Sequence, residues 1–214
     1  MAKERKFINE GIRSVLIEEF LKSQFQRADY SHIEVSKTPL GTRIIIFANR
    51  PGIVIGRGGE KIKSITEHLR NEFKIDNPQL DVKEVQDPDL DARIISRQIA
   101  SSLERGLNHK RVANMTINRV MNAGAVGIQI RIAGKMGGDK SRTEKFMQGY
   151  LQHSGETANT LVSRGKAEAL LKPGKVGVQV QIMAVNIEQE MKALKKRKME
   201  EKEKNRENAE MAAK

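Results

Sequence analysis

In the first part of the chain, the spacing of apolar residues changes several times between a helical and a strand pattern. Apolar residues at helical spacing predict an opening amphipathic helix: Phe7, Ile8, Ile12, Val15, Leu16, Phe20 and Leu21. A strand with alternating Ile33 and Val35 follows, and residues 42–48 form a β-branched run typical of a buried strand. Pro51 then opens a short helix, a longer helix runs to Phe73, and residues 80–85 predict a last strand.

A G-x-x-G loop joins the two consecutive helices and consists of Gly56, Arg57, Gly58 and Gly59. Glycines at this spacing let the backbone turn tightly and approach a sugar-phosphate strand without intervening Cβ atoms. With the predicted order αββααβ, the loop resembles the type-two KH arrangement, which holds single-stranded nucleic acid. The loop and Lys61 are therefore candidate RNA contacts. The alternative is a glycine-rich helix cap in another α/β fold, because lone glycine motifs are weak signals.

A second set of elements begins with two helices. Asp87 and Pro88 predict a capped helix start with proline at the first helical position. The buried stripe of this helix is predicted to be Leu90, Ile94, Ile95, Ile99, Leu103 and Leu107. Another helix is predicted over residues 110–122, with Val112, Met115 and Val120 buried and a stop at Ala123 and Gly124.

Residues 127–132 and 177–182 share a strict alternation, GIQIRI and GVQVQI, that predicts two strands of one sheet. We expect the helices to cover the apolar face and a third strand near residues 157–163 to complete the sheet. The other face carries Gln129 and Arg131. A solvated face and an RNA-contacting face both fit this pattern. The predicted class is α+β: a type-two KH domain, then two helices on a small, mainly antiparallel sheet, then a charged tail.

The formal net charge of +12 is distributed unevenly along the chain. Residues 1–88 hold 15 Lys and Arg against 13 Asp and Glu, residues 89–187 hold 15 against 7, and residues 188–214 hold 9 against 7. The middle region is therefore the predicted polyanion-binding part. Nucleic acid is favoured over an anionic membrane face, because the charge is spread over helices, loops and strands instead of one amphipathic helix.

Composition narrows the remaining classes. The 214 residues include no cysteine, which excludes disulfides and thiolate metal sites and fits a reducing compartment. No run approaches the ~18 apolar residues of a membrane span, so we expect a soluble, cytoplasmic protein. The four histidines are too widely spaced for a local ligand motif, and no cofactor or metal is predicted.

The densest charge feature is the link after the GIQIRI strand, residues 133–145 with the sequence AGKMGGDKSRTEK. Gly134 and the pair Lys140 and Ser141 match part of a phosphate-binding loop. Asp139 stands where that loop needs a glycine, and its carboxylate would repel a triphosphate. We therefore do not predict an NTPase.

These motifs occur together in one known family. A type-two KH pattern followed by residues 131–144, RIAGKMGGDKSRTE, with GIQI and GVQV strands on either side, resembles the family of universal small-subunit ribosomal protein three. The resemblance covers residues 1–187. The short N-terminus and the charged C-terminal extension are more similar to the archaeal and eukaryotic members than to the bacterial ones.

The resemblance implies a structural protein in the head of the small ribosomal subunit. Its implied partners are ribosomal RNA, neighbouring head proteins and messenger RNA on the side where the messenger enters. It also implies a basic helix near that entrance, where Lys110 and Arg111 keep the basic character and Asn114 departs from it. The complete set of candidate RNA-binding residues is Gly56, Arg57, Gly58, Gly59, Lys61, Lys110, Arg111, Arg131, Lys135, Lys140, Arg142 and Lys145.

We predict three parts: a KH domain over residues 1–88, a basic α/β ribosomal domain over 89–187, and a helical or disordered tail over 188–214. Two other functions stay open. A free-standing KH regulator would discriminate RNA in the KH groove and would not need a basic second domain. An enzyme would need a lysine made nucleophilic by its surroundings, which a sequence does not reveal, and we do not predict one.

Overall fold

The computed structural model describes residues 2–25, 29–38, 41–73 and 77–184. Its helices are α1 (Ala2–Gln24), α2 (Pro51–Ile55), α3 (Glu60–Glu72), α4 (Ala92–Glu104), α5 (His109–Asn122) and α6 (Glu156–Thr160). Its strands are β1 (Tyr30–Thr38), β2 (Gly41–Ala48), β3 (Gln79–Glu84), β4 (Gly127–Gly134), β5 (Arg142–Gly149), β6 (Val162–Leu171) and β7 (Gly174–Met183). The predicted tail lies outside the described residues, and the predicted domain limits stay predictions.

The first six elements fold around a three-stranded sheet. β1 pairs with β2 antiparallel, and β3 pairs with the other edge of β2 in parallel, which requires the crossover made by α2 and α3. Ile44 and Ile46 of β2 pack with Val54 of α2 and Leu69 of α3 in the core below the sheet. The order αββααβ is confirmed. It places the G-x-x-G loop at the surface between α2 and α3.

α1 forms as predicted, but its buried face differs from the prediction. Ile17 and Leu21 pack into the N-terminal core with Phe25. The earlier apolar positions stay exposed: Ile8 57%, Ile12 52%, Val15 63% and Leu16 47%. Burying these four residues was a wrong expectation, because the described residues of α1 reach the core only with the last turns of the helix. The side chain of Phe7 lies outside the described residues.

The second region contains a four-stranded antiparallel sheet in the order β5, β4, β7, β6. α4 and α5 cover one face, where Ile128, Ile130 and Ile132 meet Val178 and Val180 in the core. The predicted two helices on a small antiparallel sheet are confirmed.

Two strand predictions in this region need correction. The third strand begins at Val162 and not near residue 157, because residues 156–160 form α6 after a turn at Gly155 with φ 84°. The charged link over residues 133–145 carries no predicted strand. Its end instead forms the start of β5, an edge strand whose Phe146 packs against the core.

The start of α4 also differs from the prediction. Asp87 and Pro88 open a 3-10 turn, and α4 itself begins only at Ala92. Asp91 is the true cap, because its Oδ1 accepts hydrogen bonds from the N–H of Arg93 at 2.8 Å and of Ile94 at 3.4 Å. The aspartate that caps the helix therefore lies four positions later than expected.

Two residues predicted to be buried in these helices are exposed. Leu107 is 51% exposed because α4 ends at Glu104 and Gly106, with φ 84°, turns the chain away from the helix axis. Met115 is 65% exposed because it lies beside the buried stripe of α5. That stripe consists of Val112, Ala113, Thr116, Ile117 and Val120.

The face of the second sheet turned away from α4 and α5 is covered at one end. Residues 150–161 cross this end, and Leu151 packs there against Val162 and Met183. Gln129 is consequently only 4% exposed, and its Oε1 has no hydrogen-bond partner among the described residues. The expectation of a polar, open position was wrong for Gln129. Arg131, two residues further along β4, is exposed.

Asp91 also connects the two regions. Its second carboxylate oxygen accepts a hydrogen bond from Oγ of the buried Ser31 in β1. Arg93 donates to the backbone oxygen of Ser31 over 3.2 Å and lies 3.8 Å from a carboxylate oxygen of Glu18 in α1. The N-terminus of α4 is thereby tied to both α1 and β1.

Candidate nucleic-acid interface

The G-x-x-G loop is built from a helix end, one turn and a helix start. The N–H of Gly56 donates to the carbonyl oxygen of Gly52 over 3.0 Å and closes α2. Residues Arg57–Gly59 form a 3-10 turn, and α3 then begins at Glu60 with Gly59 as its N-cap. No side chain caps this start. The first N–H groups of α3 therefore remain available to an anionic group such as a phosphate.

The three glycines of the loop have different structural roles. Their φ angles are 76° at Gly56, 60° at Gly58 and 77° at Gly59. Gly56 also has ψ 179°, a combination almost restricted to glycine, and a Cβ there would lie 2.8 Å from Cβ of Lys61. A Cβ at Gly58 or Gly59 would meet no atom within 4 Å. The fold needs Gly56, whereas Gly58 and Gly59 leave open space in front of the backbone.

The side chains around the loop include both cations and apolar groups. Arg57 is exposed, whereas Nζ of Lys61 lies 3.5 Å from the carbonyl oxygen of Ile53 and 5.4 Å from the centroid of the Phe25 ring. Ile53 and Ile55 are 38% and 40% exposed and form an apolar surface beside the loop. The sequence did not reveal this surface, because a short helix that is buried in a core has the same apolar composition as one that exposes its apolar residues.

One side-chain contact holds the starts of α5 and β5 together. Nε2 of His109 lies 3.0 Å from Oε2 of Glu144, 35 positions later in the chain. Lys110 and Arg111 directly follow the histidine, and Arg142 lies two positions before the glutamate, on the same face of β5; all three are exposed. Lys145 directly follows the glutamate and therefore lies on the opposite face of β5. The structure therefore brings together two basic groups that were predicted separately.

Lys135 and Lys140 lie in the exposed loop between β4 and β5. Gly134 ends β4 with φ 151°, and a Cβ there would lie 2.8 Å from Cγ2 of Val176, so close backbone packing fixes the point where the loop leaves the sheet. Arg142 is the first residue of β5 and is exposed. These three predicted phosphate contacts thus follow one short surface segment.

Strand pairing creates a row of polar side chains across the second sheet. Arg131 of β4 lies opposite Lys145 of β5 and Gln179 of β7, and Gln179 lies opposite Lys166 of β6. Side chains directly opposite one another share a face, and this face is turned away from α4 and α5. We call Lys145, Arg131, Gln179 and Lys166 the cation row. Arg142 is an odd number of positions from Lys145 and therefore lies on the other face of β5.

Sequence reasoning missed Lys166 and Gln179 as members of this surface. Their relation to Arg131 depends on the register of three strands, and no local spacing in the chain reveals it. The repeated alternation GIQIRI and GVQVQI was the available signal, since it indicated that both polar faces belong to one sheet.

Several cations outside the candidate set are neutralised by carboxylates. The closest N–O distances are 2.5 Å for Arg43 and Asp81, 3.1 Å for Arg119 and Asp89, and 3.1 Å for Lys175 and Glu168. By contrast, no described carboxylate lies within 4.0 Å of the charged nitrogens of the predicted RNA-binding Lys and Arg residues. Unpaired cations of this kind attract a polyanion.

Other kinds of site find little support in the described part of the chain. Its His, Asp and Glu side chains form no group of three or more that could hold a metal ion. Of the neighbouring aspartates near α4, Asp91 caps the helix and Asp89 pairs with Arg119. None of the helices in the described ranges is both long enough and apolar enough to cross a membrane.

The fold and the loop define a KH-domain protein with a second, cationic α/β region. Residues 16–90 match the KH domain family, and residues 99–182 match the family described as ribosomal protein S3, C-terminal domain. Both matches agree with the order of elements described above.

The chain aligns with curated relatives over most of their length. The chain is 50% identical over 184 residues to small ribosomal subunit protein uS3 of Methanocaldococcus jannaschii, covering 86% of this chain and 88% of the relative. The protein of the same name from Methanoculleus marisnigri is 44% identical over 183 residues, covering 86% and 78%. The chain belongs to the small ribosomal subunit protein uS3 family. The resemblance inferred from the sequence, including its archaeal character, is confirmed.

Proposed function

We propose that this protein is a structural constituent of the small ribosomal subunit. It binds ribosomal RNA in the subunit head and helps to form the side where messenger RNA enters during translation. The name of its relatives, small ribosomal subunit protein uS3, supports the assignment to the subunit. The position in the head and at the messenger entrance follows from the family resemblance.

The observation that carries the proposal is the concentration of unpaired cations in the second region. Lys110 and Arg111 at the start of α5 lie on the side of the sheet that carries Arg142, because His109 contacts Glu144 and Arg142 shares the face of Glu144 on β5. Such a cluster has no partner within the described fold. It fits a protein that contacts RNA phosphates over a broad surface, with affinity that falls as salt rises.

The KH region contributes a second, smaller contact. Gly58 and Gly59 leave the backbone accessible, and Arg57 is exposed beside them. The exposed Ile53 and Ile55 provide an apolar surface for bases next to a phosphate site. We propose that the loop holds a short single-stranded RNA segment.

The remaining partners follow from the same proposal. Neighbouring proteins of the subunit head contact the chain, and the protein is located in cytoplasmic ribosomes. Its role is structural and not enzymatic. We expect no membrane association.

The test is sedimentation of a native lysate through a sucrose gradient, probed for this chain before and after a high-salt wash. We expect nearly all of the chain to migrate with small subunits and to remain there at moderate salt. A chain found mainly at the top of the gradient would contradict the proposal and would favour a free-standing KH regulator. In that case the RNA target would be sought in the groove beside the G-x-x-G loop.

A further inference from the structure

We propose that the cation row binds the backbone of double-helical RNA. In this arrangement Lys145, Arg131 and Lys166 contact phosphates, and the amide of Gln179 contacts a 2′-hydroxyl group. The inference rests on the proposed function as a ribosomal RNA-binding protein, and it assigns to one face of one sheet a defined class of RNA.

The row is long enough to contact several nucleotides. Its four residues lie on four neighbouring strands, in the order β5, β4, β7, β6. Neighbouring strands are separated by about 4.8 Å, so the row extends over about 14 Å across the sheet. Lys145, Arg131 and Lys166 are exposed, and Gln179 is half-buried between the last two.

The charges of the row do not stabilise the fold. Arg131 and Lys145 are directly opposite each other on adjacent strands, an arrangement that is unfavourable for like charges. Glu168 lies on the same face, but its carboxylate is 3.1 Å from Nζ of Lys175 and is therefore already paired. An anion from outside the described chain would remove the repulsion within the row.

Small residues beside the row leave room for that anion. Ala133 and Gly177 lie opposite each other on β4 and β7, on the same face as the row. Gly177 does not have a positive φ, and a Cβ there would meet its nearest atom, the carbonyl oxygen of Ala133, only at 3.9 Å. The fold therefore does not require glycine at this position, and a glycine inside a strand commonly marks the close approach of a ligand.

Two other strand glycines, unlike Gly177, are required by close backbone packing. A Cβ at Gly127 would lie 2.0 Å from the carbonyl oxygen of Tyr150, and a Cβ at Gly165 would lie 2.0 Å from that of Ala92. Both are explained by backbone packing within the protein. Gly177 has no such explanation, and it lies diagonally across from the unpaired Arg131 and Lys166 on the two neighbouring strands.

The composition of the row favours a duplex over a single strand. Single-stranded nucleic acid is usually held by aromatic side chains that stack on bases, and the row contains none. Double-helical RNA is recognised through phosphates and 2′-hydroxyl groups across its wide minor groove. Lysine and arginine suit the phosphates, and the glutamine amide suits a hydroxyl group that is both donor and acceptor.

The experiment measures binding of the full chain to a labelled 16-base-pair RNA duplex at several salt concentrations. The double variant Arg131→Gln with Lys166→Gln should weaken binding on the order of tenfold at ~0.1 M salt and lower the salt slope by about 2. The control, Arg43→Gln with Arg119→Gln, removes the same charge from cations that are already paired, and their carboxylate partners, Asp81 and Asp89, do not belong to the sheet that carries the row. It should change the affinity little. Equal losses in both double variants would overturn the inference, because net charge alone would then explain binding.

Two further variants separate contact from folding. Gly177→Leu should leave the midpoint of thermal unfolding unchanged or higher and should weaken duplex binding several-fold, because its side chain occupies the approach to the backbone. Gln179→Met should reduce the preference for the RNA duplex over a DNA duplex of the same sequence. Unchanged binding by a folded Gly177→Leu protein would overturn the proposed approach. An unchanged preference in Gln179→Met would overturn the 2′-hydroxyl contact.

The result also distinguishes this inference from the proposed function. If the unaltered chain migrates with small subunits but the row variants bind duplex RNA like the control, the ribosomal function stands and the assignment of this face fails. If the unaltered chain neither binds RNA nor migrates with small subunits, the proposed function itself fails.

Discussion

The G-x-x-G loop and the cation row are fixed by different features of the chain. The loop depends on the backbone angles of a few consecutive residues, above all Gly56 with φ 76° and ψ 179°. The row depends on the pairing of four strands, and its residues come from positions 131 to 179. A change in a required backbone angle destabilises the fold, whereas the replacement of an exposed, unpaired side chain does not. Substitutions should therefore affect stability at the loop and binding alone at the row.

The largest expected effect tests the first half of this comparison. Gly56→Ala should lower the free energy of unfolding by about 2–3 kcal/mol, because the new Cβ is strained at this φ and meets Cβ of Lys61 at 2.8 Å. Chemical denaturation of the full chain measures the change. The matched control is Gly52→Ala in α2, where a Cβ meets nothing within 4 Å and glycine has no positive φ. Equal stabilities for the two variants would show that the fold does not require glycine at position 56.

The second effect concerns the link between the two regions. Asp91→Ala should cost about 1–2 kcal/mol, because it removes the cap of α4 and the acceptor for the hydroxyl group of Ser31. Asp91→Asn keeps an acceptor oxygen for the cap and should retain most of the stability. Denaturation curves of the two variants, followed by signals from each region, provide the measurement. If Asp91→Asn lost as much stability as Asp91→Ala, the negative charge of Asp91, and not its role as a helix cap, would stabilise the contact between the two regions.

The fold could be predicted largely from local patterns. The order αββααβ followed from changes of period and from Pro51, and the buried isoleucines of β4 followed from strict alternation. The errors lie where tertiary packing decides. Leu107 and Met115 have suitable apolar character, but a glycine turn and the position of a helix stripe leave them exposed.

The site could be predicted less completely for a related reason. The G-x-x-G motif is contiguous, so its residues were found directly. The contact between His109 and Glu144 and the register from Arg131 to Lys166 join distant positions. A sequence indicates that such residues are basic, but only the fold indicates that they are neighbours.

The third prediction separates the roles of the loop glycines. Gly58→Asp with Gly59→Asp should cost only about 1 kcal/mol, because aspartate tolerates left-handed angles better than most residues and open space surrounds both positions. Its two carboxylates should nevertheless repel RNA and abolish the contribution of the loop to binding of a single-stranded oligonucleotide. The matched control, Gly58→Asn with Gly59→Asn, has similar side-chain size without charge. Unaltered binding in the aspartate variant would show that the loop does not contact RNA.

The smallest expected change in stability extends the second half of the comparison to two exposed cations outside the row. Lys110→Gln with Arg111→Gln should leave the free energy of unfolding within about 0.5 kcal/mol of the original, because both side chains are exposed and lack ion pairs among the described residues. Binding of a single-stranded RNA probe should weaken, and its salt slope should fall by about 1.4 if each cation contacts one phosphate. Arg43→Gln with Arg119→Gln again provides the charge-matched control. A loss of stability comparable to that of Gly56→Ala would contradict the distinction, because these side chains would then belong to the fold as much as the loop backbone does.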